Sequence, residues 1–397
     1  MAVVAGLWPG AAGIHAQQAV PVRQSGAARA AQSESPLAQA IRAEADRQYD
    51  AAIERLYSLI LEQPGTPDAV AARLRLARLL ALGGDWAAAI LECQQVRGEL
   101  PADSPERQQA LDMATAIGRR LRAAGTSENG YFPTFEPLPI GGMAALDDPR
   151  AIVFAADGRF ALLDEGAGRI IAAASDTATV VPGPQDPTAV TMLGDGTILA
   201  FGKGGLVAVQ TPRTIPLAGT WGGKTRALKK VRSMAALAGG DLLVIDKDYD
   251  GLLRCQYPAG TCVPAGPAGR QRVVRTGASD WAYVLDDRGD TVRVLDANQR
   301  EIGVIGPGLG AAKLGRVEDI AVDGVYGLYL LDRDARRVLV VTLRAGTDGR
   351  VSGVLAGTFQ IPAEGDHALK NASAIGAAPG GSVVLAGRSA ARLMRLR

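Results

Sequence analysis

The side chains best suited to chemistry in this sequence are cations clustered in one short segment. Residues 224–232 carry five positive charges in nine positions. Such a cluster creates a local positive field that attracts anions or an acidic partner; a solvated loop without any ligand is the alternative. Loops expected on the same face add further candidates, and the predicted partner-binding residues are Lys224, Arg226, Lys229, Lys230, Arg232, Lys247, Tyr249 and Arg333.

Side chains that perform catalysis or bind metals are scarce. The chain contains two histidines, His15 and His367, and three cysteines, none of them in a CxxC pair. Zinc sites and histidine-based acid–base catalysis are therefore poorly supplied. Asp248 and Asp250 lie two residues apart but lack the wider ligand spacing of a calcium loop. The sequence predicts no catalytic residue, no metal ligand and no cofactor.

Composition limits the classes of partner. The 397 residues carry 43 Lys and Arg against 41 Asp and Glu, and the net charge of +2 gives no general attraction to nucleic acid or to a membrane surface. No apolar stretch approaches the roughly 20 residues that span a bilayer. We therefore expect a protein or an envelope polymer as the partner, with no nucleic acid and no transmembrane segment. The length favours two domains.

The N-terminal segment 2–16 is apolar and ends in a small residue, Ala16, before Gln17. It resembles a secretory signal that lacks its basic start, because the first arginine is Arg23. A flexible apolar tail is the alternative. With 1–16 as the signal, we expect an exported protein, periplasmic or extracellular. Residues 17–35 lack hydrophobic periodicity and are predicted to be a disordered linker.

Helical units follow this linker. Residues 49–64 align with residues 86–101 at a shift of 37 positions, and each copy begins with an aromatic residue and ends with proline. The pattern resembles the tetratricopeptide (TPR) repeat, a helix pair that stacks on its neighbours. The resemblance implies an all-α region over 36–124 whose concave face recognises another protein. The alternatives are self-association and a structural role against the next domain.

Short strands dominate the remaining sequence. One unit of apolar strand, Gly or Asp turn, and apolar strand ending in Asp recurs about six times, with its clearest copies at residues 150–164 and 318–332. A period of about 40–50 residues with three or four strands per unit is typical of a β-propeller. The predicted fold class is therefore multidomain, with an all-α region followed by an all-β six-bladed propeller over 141–397.

The segment between the two regions is rich in proline. The last helix is predicted to open at Asp103 and to stop before Gly125, so 125–140 is assigned as a linker. The sixth repeat lacks one outer strand, whereas residues 134–140 precede the first repeat. Because prolines are tolerated in an outermost strand, we expect 134–140 to pair beside 393–396 and to close the ring.

The strand repeats resemble NHL repeats, in which one strand ends in Asp and an Arg follows the next turn. The recurring residues are Asp164, Asp246, Asp286 and Asp332, with Arg169, Arg337 and Arg392. An Asp at a strand end normally caps the turn that follows, and we predict that role here. Because both kinds of repeat are interaction platforms and neither supplies a recognisable catalytic set, we expect a non-catalytic binding or scaffold protein. The alternative is a propeller hydrolase or lyase that acts on a small ligand or glycan.

Two of the three cysteines lie in one predicted hairpin. Cys255 and Cys262 flank the four-residue loop 257–260, and the hairpin register places them directly opposite each other, within disulfide reach. In an oxidising compartment we expect a bridge, with two free thiols as the alternative. Cys93 falls in a helical segment and is expected to be a small buried hydrophobic residue.

Overall fold

Helices and sheets are segregated along the chain. In the computed structural model, five helices precede six β-sheet blades within the described residues, which confirms the predicted fold class. The predicted signal and most of the predicted linker, residues 1–33, lie outside those residues. From Pro36 onward the chain forms one compact unit. The structure describes residues 34–129, 134–138, 145–174, 177–306, 308–309, 314–365, 368–369, 371–388 and 390–395.

Consecutive helices pack against one another, and polar caps begin three of them. Thr66, Asp85 and Ser104 each accept the N–H three residues further on, at 3.2, 3.0 and 3.1 Å. None of the helices in the described part of the chain has both the length and the apolar character to cross a membrane. The helices are α1 Pro36–Ala45, α2 Tyr49–Glu62, α3 Pro67–Gly83, α4 Trp86–Glu99 and α5 Pro105–Asn129.

Helix α5 continues past Gly125, where a stop was predicted. A glycine inside a helix costs only about 1 kcal/mol relative to alanine, and tertiary packing can offset that cost. Ala123 in this helix is buried, and a Cβ added to Gly357 of the propeller would lie 3.3 Å from it. The predicted helix end was wrong because it rested on local propensity alone.

The first half of the propeller begins with a separate short strand, β1 Thr134–Pro137. Blade one contains β2 Pro149–Phe154, β3 Phe160–Asp164, β4 Arg169–Ala174 and β5 Thr177–Val181. Blade two contains β6 Gln185–Met192, β7 Ile198–Lys203, β8 Gly205–Ala208 and β9 Thr211–Ile215. A hairpin of β10 Ala218–Trp221 and β11 Lys224–Ala227 joins blade three, which contains β12 Val231–Ala236, β13 Leu242–Asp246, β14 Leu252–Cys255 and β15 Thr261–Ala265.

The second half follows the same order from the inner to the outer strand. Blade four contains β16 Gln271–Thr276, β17 Ala282–Asp286, β18 Val292–Leu295 and β19 Glu301–Ile305. Blade five contains β20 Val317–Val322, β21 Gly327–Asp332, β22 Arg337–Ala345 and β23 Val351–Gln360. Blade six contains β24 Ala372–Ala377, β25 Val383–Gly387 and β26 Ala390–Arg395.

The same turn joins the two inner strands of every blade. In all six blades the residue before the turn donates its N–H to the C=O four residues later, as Ala155 does to Arg159 at 2.8 Å and Leu237 to Asp241 at 2.8 Å. We call the end of the ring that carries these turns the turn face. The opposite end, where each first strand begins, is the lead-in face. The apolar second strands between the two faces are almost entirely buried and form the blade cores.

The strand that precedes blade one completes blade six. β1 pairs antiparallel with β26 over four residues, which confirms the predicted closure of the ring. Leu138 donates its N–H to Ala391 O at 3.3 Å, so the neighbouring pair, Pro137 and Arg392, is one whose backbone groups point away from each other. The missing N–H of Pro137 therefore costs no ladder hydrogen bond.

The helices pack on the turn face of blades four to six. Arg119 of α5 donates to Ser382 Oγ of blade six at 2.8 Å, and Tyr326 of blade five donates its hydroxyl to Glu44 of α1 at 3.4 Å. Residues of α3 contact β22, and residues of α5 contact both β22 and β23. The propeller therefore occupies the face of the stack that is formed by the first helix of each pair.

The disulfide forms as predicted. Cys255 and Cys262 lie opposite each other on β14 and β15 and are bonded. Cys93 is the free cysteine among the described residues, and it is buried in the helical core. Burial raises the pKa of its thiol to about 12, so little of the reactive thiolate forms near neutral pH.

Thiol titration should therefore give three different counts. Near neutral pH, the native chain should take up no alkylating reagent, the unfolded chain one equivalent at Cys93, and the unfolded and reduced chain three. Mass spectrometry of the alkylated chain measures each count. Three equivalents without reduction would show that the bridge between Cys255 and Cys262 is absent.

Candidate binding surface on the third blade

The recurring Asp residues hold the loops that carry the predicted site. In blade three, Asp246 Oδ2 accepts the N–H groups of Lys229 and Lys230 at 3.1 and 2.9 Å, and Oδ1 accepts that of Asp248 at 2.8 Å. The bond to Asp248 is the predicted cap of the following turn. The bonds from Lys229 and Lys230 join that turn to the segment leading into the blade. In blades one and five, Asp164 and Asp332 likewise accept an N–H group of the lead-in segment. These carboxylates are therefore structural.

Lys224 and Arg226 lie on a hairpin and not on the predicted inter-blade loop. β10 and β11 pair antiparallel around Gly222 and Gly223, whose φ angles of 58° and 72° suit a type I′ turn. β10 also pairs parallel with β15, so that the hairpin extends blade three to six strands. The Gly-Gly pair between two short runs is the sequence signal that would have identified this hairpin.

Trp221 was not predicted as a site residue, yet it organises this surface. Its ring centroid lies 5.1 Å from that of Tyr249 and 5.9 Å from the guanidinium carbon of Arg226. Gly219 makes room for the indole, because a Cβ at that position would lie 2.6 Å from the ring. Trp221 and Tyr249 are both half-buried, so both rings remain partly accessible.

The predicted cations of blade three differ in how far they are neutralised. Lys230 Nζ pairs with Asp248 at 2.9 Å, and Arg232 pairs with Asp287 at 2.8 Å. Four other exposed cations have no ion pair within the described part of the chain, and together with the two rings they form what we call the third-blade surface. Its members are Trp221, Lys224, Arg226, Lys229, Lys247 and Tyr249.

Arg333 lies elsewhere on the lead-in face. It follows β21 in blade five and pairs with Glu318 at 3.2 Å. It also lines a surface pocket of about 520 Å³ with Arg336 and Glu364. The structure therefore does not bring Arg333 to the third-blade surface.

A buried ion pair occupies the central channel. Arg275 of blade four reaches Asp319 of blade five at 2.7 Å, and Asp319 also accepts the N–H groups of Ile320 and Ile375 at 2.8 and 3.0 Å. Burial raises the pKa of Asp319, and the charge of Arg275 opposes that effect. A cavity of about 90 Å³ lies beside the pair.

The described residues contain no group of three or more His, Cys, Asp or Glu side chains that could hold a metal ion. Both histidines of the sequence, His15 and His367, lie outside those residues. The third-blade surface offers cations, which attract carboxylates and other anions, and aromatic rings, which pack against the apolar parts of a ligand.

Comparisons with known proteins return similar propellers of several kinds. The sequence matches no protein-family model, and comparison with curated proteins gives no match. A gluconolactonase from Xanthomonas campestris is 12% identical with a TM-score of 0.47, covering 69% of this chain and 93% of its own. A virginiamycin B lyase from Staphylococcus aureus is 12% identical with a TM-score of 0.41, covering 66% and 98%. An auxiliary nutrient binding protein from Bacteroides ovatus is 12% identical with a TM-score of 0.46, covering 66% and 72%.

Proposed function

We propose that this chain is a non-catalytic scaffold that holds an acidic protein or polymer on its third-blade surface. The observation that carries the proposal is the group of four exposed cations, unpaired within the described residues, around the rings of Trp221 and Tyr249. Exposed cations attract carboxylates, and aromatic rings pack against the aliphatic parts of a ligand. Because the net charge of the whole chain is only +2, the attraction is local to this surface.

We further propose that the blades are NHL-like repeats and the helices TPR-like repeats with a structural role. Blades one and five support the first assignment, because the pairs Asp164–Arg169 and Asp332–Arg337, both at 2.9 Å, recur at the same position. The packing of α1, α3 and α5 on the propeller supports the second. A partner that bound to this face of the stack would have to displace the propeller.

Export is part of the proposal. The bridge between Cys255 and Cys262 supports it, because disulfides persist mainly in oxidising compartments such as the periplasm or the extracellular space. A partner in the envelope would meet the third-blade surface there.

Removal of charge from the third-blade surface should weaken capture of an acidic polymer. In a variant with Lys224, Arg226 and Lys229 replaced by Ser, we expect about tenfold weaker binding of labelled poly-glutamate, because each exposed charge contributes roughly 0.2–1 kcal/mol. Added salt should weaken binding by the parent chain, since the Debye length falls from about 10 Å at 0.1 M to about 3 Å at 1 M. Fluorescence anisotropy titrations at both ionic strengths measure these effects.

The matched control removes the same number of charges elsewhere. Arg150 and Arg159 are exposed and Arg293 is half-buried, all three lie on other surfaces and in ion pairs, and their replacement by Ser should leave binding near the parent value. Equal losses of affinity in both variants would mean that binding depends on the net charge of the chain and not on the third-blade surface. Hydrolysis or elimination of a lactone, ester or glycan by the purified chain would overturn the non-catalytic assignment in favour of the enzyme alternative.

A further inference from the structure

β11 is the outermost strand of the six-stranded sheet in blade three, and it lies open to solvent. The sheet order runs β11, β10, β15, β14, β13, β12, and all four residues of β11 are exposed. An outermost strand presents a row of backbone donors and acceptors to which a further strand can pair. Within the described residues, no strand is paired on this side of β11.

The register of the hairpin identifies which backbone groups point outward. Leu228 donates its N–H to Leu217 O at 2.9 Å, which makes these two residues a hydrogen-bonded pair. Pairs alternate along an antiparallel ladder, so Gly219 and Arg226 are also hydrogen-bonded, whereas the groups of Thr225 face away from β10. By the same alternation the groups of Ala227 face outward. β11 therefore offers two N–H groups and two C=O groups to an incoming strand.

The side chains of β11 set the chemistry of that strand. Alternation along the strand places Lys224 and Arg226 on one side of the sheet, the side that carries Trp221. Side chains directly opposite on paired strands lie about 4.5–5.5 Å apart, and opposite charges there are stabilising. A segment with acidic residues at every second position would place its carboxylates beside Lys224 and Arg226.

We infer that β11 is a docking edge that binds an extended acidic peptide segment as a seventh strand of blade three. The inference rests on the proposed function, and it names the partner class and the mode of contact. A second copy of this chain is a poor occupant, because β11 against β11 would set Lys224 and Arg226 among like charges. Other outermost strands do not share the pattern, since β5 has no charged residue and β9 contains Pro212 with a single cation, Arg213.

Two peptides of equal charge separate strand pairing from simple attraction. One consists of four Val-Glu repeats, and the other consists of four Pro-Glu repeats and cannot donate backbone hydrogen bonds from alternate positions. We expect the parent chain to bind the Val-Glu peptide at least about tenfold more tightly, since its N–H groups can donate to the two outward C=O groups of β11, and each such bond contributes about 0.5–1.5 kcal/mol. Fluorescence anisotropy at low salt measures both affinities.

The decisive variant is Thr225→Pro, which removes an outward N–H and no backbone bond to β10; the side-chain bond between Thr225 Oγ1 and Thr220 Oγ1 at 2.9 Å is lost with it. We expect it to lose most of the preference for the Val-Glu peptide while keeping the melting temperature and the tryptophan fluorescence of the parent. Val180→Pro on the outermost strand β5 is the control and should bind as the parent does. If the variant loses its hairpin, the comparison of the two peptides on the parent chain still tests whether the peptide binds as an added strand.

The outcomes separate this inference from the proposed function. Equal affinity of the parent for the two peptides, or full binding by a folded Thr225→Pro chain, would overturn strand addition. If the triple Ser variant of Lys224, Arg226 and Lys229 also binds normally, the third-blade surface itself is not the site. If only the triple variant loses binding, the surface is correct and the strand-addition mode is wrong.

Discussion

Replacement of Asp319 by alanine should lower the free energy of unfolding by about 3–5 kcal/mol, the usual effect of breaking a buried ion pair from one side. The substitution leaves the Arg275 guanidinium in the channel without its counter-ion and also removes the acceptor for Ile375 N–H. These contacts join blades four, five and six, so the loss acts across the ring. Urea unfolding, with an unchanged slope against denaturant, measures the difference.

Two comparisons decide whether that loss comes from the uncompensated charge. The double variant Arg275→Met with Asp319→Ala removes both charges and should be more stable than Asp319→Ala alone. Asp157→Ala breaks an exposed pair with Arg159 and should cost no more than about 1 kcal/mol. An Asp319→Ala chain within about 1 kcal/mol of the parent would contradict the role assigned to this pair.

The second large effect should come from opening the ring. Substitution of proline for Glu136 and Leu138 removes two N–H groups that face β26, judged from the bond between Leu138 and Ala391. We expect the melting temperature to fall by about 5–10 °C, from a loss of about 2–3 kcal/mol. The reason is that blade six then loses its outermost strand, and with it the link that holds the two ends of the ring together. Differential scanning calorimetry measures the shift.

The control is a proline in an outermost strand that takes no part in closing the ring. Thr179→Pro lies in β5, which is also outermost but belongs to a blade built from one continuous stretch of chain. It removes one N–H group against two, so we expect the double proline variant to shift the melting temperature by more than twice as much. A shift of no more than twice that of Thr179→Pro would mean that β1 contributes only its own local pairing and no closure.

Features fixed by short-range patterns were predictable from the sequence. The strand repeat, the Asp at the strand end and the pairing of Cys255 with Cys262 all depend on residues within one repeat or one hairpin. Closure was also predictable, because counting strands shows that the sixth repeat is one short. The hairpin of β10 and β11 was missed because residues 224–232 were interpreted as one charged loop, and the Gly-Gly turn before them was not recognised.

The docking of the helices could not be predicted in the same way. Arg119 reaches Ser382 across 263 positions in the sequence, and no local pattern around Arg119 distinguishes it from a solvated cation. The neutralisation of Arg232 by Asp287 depends likewise on residues 55 positions apart, in different blades. A charge cluster seen in the sequence therefore overestimates the number of cations available to a partner, because ion pairs formed in the fold neutralise some of them.

The inner turns and the recurring backbone bonds of the blades determine where the chain tolerates insertions and deletions. The inner turn has the same length in all six blades, and in four blades a backbone bond joins positions 17 residues apart, as from Lys247 to Lys230. Residues added between the two bonded positions would break the bond and change the orientation of the blade. Residues added after the last strand of one blade and before the first bonded position of the next would leave the bond intact. The β10–β11 hairpin occupies such a permitted interval. The chain can thus gain or lose a binding surface there while the geometry of the ring stays unchanged.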